Sequence, residues 1–134
     1  MEISSKAITI GLVFNSVASI VLSVVLGFVL AGALGSGEAA MEMVRPSDDG
    51  FSAVALFVAS VVAVASGYVA ARAAERGELI NGALANAIRP GFSVLLSMAV
   101  APDALAIALI HLVVLTLFGM FGGYIRLKQV AEYA

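Results

Sequence analysis

The segment 66-SGYVAARAAERGELINGALANAIRPG-91 decides the fold, because a short charged break separates two apolar runs within it. The part before the break is rich in small apolar residues, and the break itself contains four charged residues. The part after the break is apolar again, yet it contains Asn86, Arg89 and Pro90. The segment therefore poses two questions: what surrounds the apolar runs, and why an arginine and a proline lie inside one of them.

The composition indicates that the surroundings are lipid. The 134-residue chain is 62% hydrophobic and 12% charged, and its mean hydropathy is +1.10. Soluble domains are about half apolar and about one quarter charged, so this chain has too few polar residues to cover a water-facing surface. A net charge of −2 without a basic patch excludes a nucleic-acid partner. The absence of cysteine excludes disulfides, thiolate metal sites and cysteine nucleophiles.

Four apolar runs are each long enough to cross a bilayer as a helix, which takes about 20 residues. They predict a single all-α domain over residues 1–134, a bundle of four transmembrane helices at 7–34, 51–71, 79–100 and 104–125. Strands would need alternating apolar and polar residues, and no such alternation is present. The first run could instead be a signal peptide, but its apolar stretch is about twice the usual length. We therefore expect it to remain as a span.

The positive charges predict the orientation of the bundle. Five of them lie on the side of the chain ends and of the second loop: Lys6, Arg72, Arg76, Arg126 and Lys128. The first loop, 35–50, has four acidic residues and only Arg45. Because positive loops stay inside, both termini are expected in the cytoplasm and the acidic loop outside.

The two halves of the chain, about 7–72 and 79–128, resemble each other: 8-ITIGLVFNSV-17 aligns with 79-LINGALANAI-88, and 63-AVASGYVAAR-72 with 119-GMFGGYIRLK-128. In the first alignment Gly11 falls on Gly82 and Asn15 falls on Asn86. In the second, a Gly-Tyr pair recurs with basic residues after it. These matches predict a parallel tandem repeat of two helical hairpins, although chance similarity in an Ala- and Val-rich chain is the alternative.

Two sets of residues are predicted to have structural roles. Tyr68 and Tyr124 end their spans at the cytoplasmic headgroups, where an aromatic ring can bury its body and keep its hydroxyl wet, so we expect them to be interface anchors. Small residues recur at four-residue spacing and permit close backbone approach in lipid, which predicts a compact bundle or a tight oligomer. The helix-packing candidates are Gly11, Gly27, Ala59, Ala63, Gly67, Gly119 and Gly123.

A polar level is predicted near the bilayer centre. Arg89 should lie about 15 Å inside the third span, given a rise of about 1.5 Å per residue. Asn86 shares its helix face, Asn15 reaches a similar depth through the repeat, and His111 lies at a comparable level from the other side. The candidate ligand or anion residues are Arg89, Asn86, Asn15 and His111.

Four interpretations of Arg89 are open. It could hold the bundle together by donating to Asn15, Asn86 and a carbonyl that Pro90 frees from the helix, or it could extend to the cytoplasmic headgroups, or the span could start later. Without a carboxylate in any span, it could also bind an anion, such as a lipid phosphate or a carboxylate. His111 would then titrate or relay protons, although a packing role is the commoner one for such a residue. Further metal ligands are missing, so no metal or other cofactor is predicted.

The stretch 67-GYVAARAAERGELINGALAN-86 resembles the middle of small four-helix bacterial membrane proteins of uncharacterised function. In that family a G-Y-x-A-x-R segment closes one helix and a G-x-x-x-G/N segment opens the next. The resemblance covers about a fifth of the chain. It implies a location in the bacterial cytoplasmic (inner) membrane and no particular activity.

The expected function is that of a structural or accessory subunit. Such a protein would form a homo-oligomer, or pack against a membrane complex, through its small-residue helix faces. The alternative is a small oligomeric transporter or channel that handles an anion or a lipid at a midplane site of arginine, asparagine and histidine. An enzyme is not expected, because no nucleophile–base pair, metal motif, phosphate loop or pair of carboxylates can be assembled.

Overall fold

The computed structural model describes residues 2–34, 49–74 and 76–133, and these residues form four long helices without a strand. The helices are α1 (Ser5–Leu34), α2 (Asp49–Ala73), α3 (Glu78–Val100) and α4 (Leu105–Tyr133), and the 3-10 turn Pro102–Ala104 precedes α4. All four helices are long and apolar enough to cross a membrane. The prediction of an all-helical chain with four candidate membrane spans is thus confirmed. Most of the acidic loop, residues 35–48, lies outside the described residues.

The fourth helix extends further than the predicted span. Hydropathy ends the span at Ile125, because Arg126 and Lys128 follow, but α4 continues to Tyr133. The added residues include good helix formers, with neither glycine nor proline among them. The Tyr68 hydroxyl also donates a 2.9 Å hydrogen bond to Oε1 of Gln129 and thereby ties this extension to α2.

The helices pack around a central pair. Helices α2 and α3 contact each other, and each of them also contacts α1 and α4. Between the described parts of α1 and α4 there is no comparable contact. In a parallel repeat, an α4–α1 contact would be the counterpart of the α2–α3 contact, so the two halves do not pack as equivalent units within one chain.

One end of the bundle is tightly closed, and we call it the closed end. The start of α1 meets the end of α2 there, since the Ser66 hydroxyl donates to the Gly11 carbonyl at 2.9 Å. The start of α3 meets the end of α4, since a Cβ on Gly123 would lie 2.5 Å from the Glu78 carbonyl oxygen. The first residues of α1 and the last turns of α4 therefore lie at the same end.

The other end, which we call the open end, is loosely packed. Within α1, most side chains from Val17 to Val29 are exposed, and none of them is buried. The large side chains Phe57, Phe92 and Val100 also face outward, and each is more than half exposed. The open end therefore leaves room between the helices.

The interior is built from small residues, and the large apolar residues lie outside. The buried apolar residues are Ala7, Val62, Ala63, Ala70, Ala71, Ala85 and Ala108. The largest fully buried side chains are those of Asn81 and Ser66, whereas Phe28 is 76% exposed. A water-soluble domain has the reverse distribution. In lipid, large apolar side chains are already solvated and small residues allow helices to approach, so this distribution is the one that a bilayer favours.

Candidate functional site

A half-enclosed cavity of about 440 Å³ lies between the helices, on the side of the open end. All four helices contribute to its wall, and its polar lining residues are Asn15, Ser19, Asn86, Arg89, Ser93, Ser97 and His111. The structure therefore brings the four candidate ligand residues of the sequence to one cavity. They come from α1, α3 and α4, far apart in the chain.

The two asparagines bond to each other and not to the arginine. Nδ2 of Asn15 donates to Oδ1 of Asn86 at 2.6 Å, and Nδ2 of Asn86 donates to the carbonyls of Ala63 at 3.2 Å and Gly82 at 3.1 Å. Asn86 is 2% exposed, so these bonds satisfy an amide that would otherwise be costly to bury. This pair joins α1, α2 and α3 at the floor of the cavity.

Arg89 lines the cavity with an exposed side chain. The amides of Asn15 and Asn86 bond to each other and to backbone carbonyls. The possible arrangement in which these two side chains accept hydrogen bonds from the guanidinium is therefore not observed. None of the side-chain hydrogen bonds between described residues involves the guanidinium, and the backbone carbonyl of Arg89 accepts the Ser93 hydroxyl proton at 3.3 Å. Pro90 is buried, and α3 continues through it without interruption. The guanidinium is thus available to a ligand, to water or to lipid.

His111 is half-buried at the cavity wall. Its Nδ1 lies 2.8 Å from the Ile107 carbonyl oxygen, one turn earlier in α4. Because a carbonyl can only accept, Nδ1 must carry the proton, and Nε2 of the neutral ring is then an acceptor. No group of three or more His, Asp or Glu side chains in the described ranges could hold a metal ion.

A polar stripe runs along α3 from the cavity floor toward the open end. It consists of Arg89, Ser93 and Ser97, which recur every four residues and therefore share one helix face. All three line the cavity. On α1, the Ser19 hydroxyl adds a further polar group, 3.4 Å from Oδ1 of Asn15.

The predicted packing residues fall into two groups. Gly11, Gly67, Gly119 and Gly123 lie at close helix contacts, where an added Cβ would collide with another helix. Ala63 is fully buried, and Ala59 forms part of the cavity wall. An added Cβ on Gly27, by contrast, would meet no atom within 4 Å.

The two tyrosines that were predicted to be anchors differ in their surroundings. Tyr68 is half-buried and donates its hydroxyl proton to Gln129. Tyr124 is 49% exposed, and its ring is stacked on Phe121 with the centroids 6.4 Å apart. Both residues lie near the closed end, and only Tyr68 has a polar partner among the described residues.

Sequence reasoning did not single out the buried Asn81. Asn81 is completely buried, and its Oδ1 accepts from the backbone N–H of Ser4 at 2.9 Å. Its Nδ2 donates to the carbonyls of Glu2, Arg76 and Gly77. It therefore clamps the start of α1 to the turn between α2 and α3. The available signal was an asparagine directly after the charged break.

Two more close contacts were not among the predicted packing residues. Ser66 bonds to the Gly11 carbonyl across the α1–α2 contact, and an added Cβ on Gly122 would collide with the Val64 carbonyl. Small or weakly polar residues are common throughout this chain, so neither position is distinguished by its residue type alone.

Comparisons with protein-family models, curated proteins and solved structures give no match.

Proposed function

We propose that this chain is a multi-pass protein of the bacterial cytoplasmic membrane that acts as a structural or accessory subunit and not as an enzyme. It associates with copies of itself, or with a larger membrane complex, through small-residue helix faces. The resemblance of residues 67–86 to small four-helix bacterial membrane proteins supports the location.

The observation that carries this proposal is a pair of exposed small residues in the half of α1 nearer the open end, Ser23 and Gly27. Gly11, near the closed end, is packed against α2 and α3, but Gly27 has open space around it. Ser23 lies one turn before Gly27 and is also exposed, so the two are neighbours on the helix surface. Small residues offer no particular advantage in contacts with lipid tails, whereas they allow the backbone of a second helix to approach closely. This face therefore suits a helix from outside the chain.

The test compares two substitutions on α1 by the mass of the native complex in detergent. Gly27→Leu should lower the fraction of oligomer or of captured membrane partner, because the added side chain keeps the partner helix away. Val25→Leu is the matched control, since Val25 is 50% exposed and lies nearly opposite Gly27 on the helix. An unsubstituted protein that is strictly monomeric and partner-free in native membranes would contradict the proposal.

We also propose that both termini are cytoplasmic and that the chain is a tandem repeat of two hairpins. The excess of positive charge on the side of the chain ends supports this orientation. The hydrogen bond between Asn15 and Asn86, which correspond in the repeat, is compatible with duplication. The missing α4–α1 counterpart means that any ancestral symmetry is incomplete in the single chain.

A second function is favoured by a separate observation: Arg89 lines a cavity, and none of the described residues in the cavity wall is acidic. In this alternative the chain is an oligomeric transporter or channel that handles an anion or an anionic lipid. Arg89→Ala should leave membrane insertion intact but abolish the thermal stabilisation of the purified protein by anions. Equal stabilisation of both forms by anionic lipids and by soluble anions would contradict this function.

A further inference from the structure

The charge of the cavity selects a monovalent anion. Arg89 is the single formally charged residue among the described residues that line it. One carboxylate would neutralise the guanidinium and could accept two parallel N–H bonds from its planar fork. A dianion such as a phosphate monoester would leave one negative charge without an oppositely charged partner among the described lining residues.

The walls of the cavity select a ligand with an aliphatic body. Beside the polar groups, the lining includes Ala85, Pro90, Ile107 and Leu115. A monatomic or small inorganic anion would leave these surfaces without contacts in a volume of about 440 Å³. An aliphatic group of several carbons would cover them and gain from its removal from water.

The polar stripe of α3 marks the route of entry. Ser97 lies about 12 Å from Arg89 along the helix axis, from eight residues at about 1.5 Å each. Together with Ala104 it lies at the α3–α4 connection, and both residues line the cavity. The opposite route is blocked, because Gly82 and Gly119 bring α3 and α4 into backbone contact there.

We propose that the cavity binds a small aliphatic monocarboxylate, which enters from the open end along Ser97 and Ser93 and pairs with Arg89. This proposal deepens the second function above and rests on it. A long-chain fatty acid carries the same headgroup but would enter from the bilayer, so the experiment has to separate the two sources.

The experiment measures the melting temperature of the full-length protein in a neutral detergent, by circular dichroism, with four probes. Hexanoate is expected to raise the melting temperature in a saturable manner. Hexanamide, its uncharged isostere, inorganic phosphate and oleate are each expected to raise it less at equal concentration. This comparison uses the unsubstituted chain, so it stands even if a variant fails to fold.

The variants then assign the effect to the cavity. Arg89→Gln removes the charge and should abolish the shift with hexanoate, and Ser97→Leu narrows the entrance and should reduce it. Arg126→Gln is the matched control, because it removes one positive charge near the closed end, away from the cavity lining. It should retain the full shift.

Each remaining outcome counts against a defined part of the inference. A shift with hexanamide equal to that with hexanoate, or an Arg126→Gln variant that loses the shift, would overturn the monocarboxylate site. An Arg89-dependent shift with phosphate or oleate alone would overturn the small aliphatic ligand but leave the anion-handling function standing. If no probe produces an Arg89-dependent shift, both the ligand class and that function fail.

Discussion

Asn86 illustrates how single polar residues hold a bundle together in lipid. Its side-chain amide accepts one hydrogen bond from α1, and it donates one to α2 and one to a carbonyl of its own helix. Asn81 does the same at the closed end, where it joins the first residues of the chain to the α2–α3 turn. Apolar burial drives little helix association in a bilayer, so such bonds and close packing must supply it.

At the residue scale, Asn86→Ala should destabilise the protein. The substitution leaves the Asn15 amide and the Ala63 carbonyl without their partner, and the expected loss is about 1–2 kcal/mol of unfolding free energy. Unfolding in detergent titrations measures it. In a double-mutant cycle with Asn15→Ala, the coupling should be about 0.6 kcal/mol, the average for membrane helices. Strictly additive losses would show that the 2.6 Å bond contributes nothing.

At the element scale, glycine decides how closely helices approach. An added Cβ on Gly82 would lie 2.6 Å from the Gly119 carbonyl oxygen, and one on Gly67 would collide with the same oxygen. Three helices thus meet backbone to backbone around Gly119. Since backbone cannot rotate away as a flexible side chain can, a methyl group at this place would force the helices apart.

Gly119→Ala is therefore expected to loosen the α2–α3–α4 contact. Its Cβ would lie 2.5 Å from the Gly82 carbonyl oxygen and from Nδ2 of Asn86, and overpacking of this kind costs about 1–3 kcal/mol. The melting temperature of the purified variant measures the effect. Gly32→Ala is the control, with no atom within 4 Å of the new methyl group. Equal melting temperatures of the two variants would contradict the close contact.

The turn between α2 and α3 is a second feature at the element scale. Gly77 precedes α3 with φ +76°, a left-handed conformation, and an added Cβ would also collide with the Glu2 carbonyl. Gly77→Ala should lower stability by about 1–2 kcal/mol from the conformation alone. Thermal unfolding compares it with Gly32→Ala, whose new methyl group meets nothing. No difference between them would show that the turn relaxes freely.

At the scale of the whole molecule, the distribution of side chains is inverted relative to a soluble protein. Serine and asparagine are buried, while phenylalanine, valine and leucine cover the outside. The bundle is also asymmetric along its length, since glycine contacts close one end and a cavity lies between the helices toward the other. The proposed ligand cavity and the proposed partner contact at Gly27 both lie on the loosely packed part of the molecule.

The orientation of the whole molecule gives a further prediction. Reporter fusions at the N-terminus, at residue 76 and at the C-terminus should all report the cytoplasm, and a fusion within 35–48 should report the outside. Arg45→Glu in the acidic loop is expected to leave this pattern unchanged. Fusions that place the two chain ends on opposite faces would contradict the four-span topology.

Much of the fold followed from the sequence because hydropathy and helix length are local properties. The four spans agree with α1 to α4 apart from the extension of α4 beyond Ile125, which hydropathy cannot detect once charges begin. The site was only partly predictable. The depths of Arg89, Asn86, Asn15 and His111 could be counted from helix ends, whereas the choice of hydrogen-bond partners depends on which helices are neighbours.

The sequence by itself determined that the chain is helical and apolar enough to cross a membrane four times, because each span must satisfy its own backbone hydrogen bonds within a limited length. Only the tertiary structure decided that the asparagines bond to each other and leave Arg89 facing a cavity. It also decided that Gly82, Gly119 and Gly123 are at contacts while Gly27 is not. The physical reason is that small residues permit close approach everywhere along these helices, and only the packing of all four selects where it occurs.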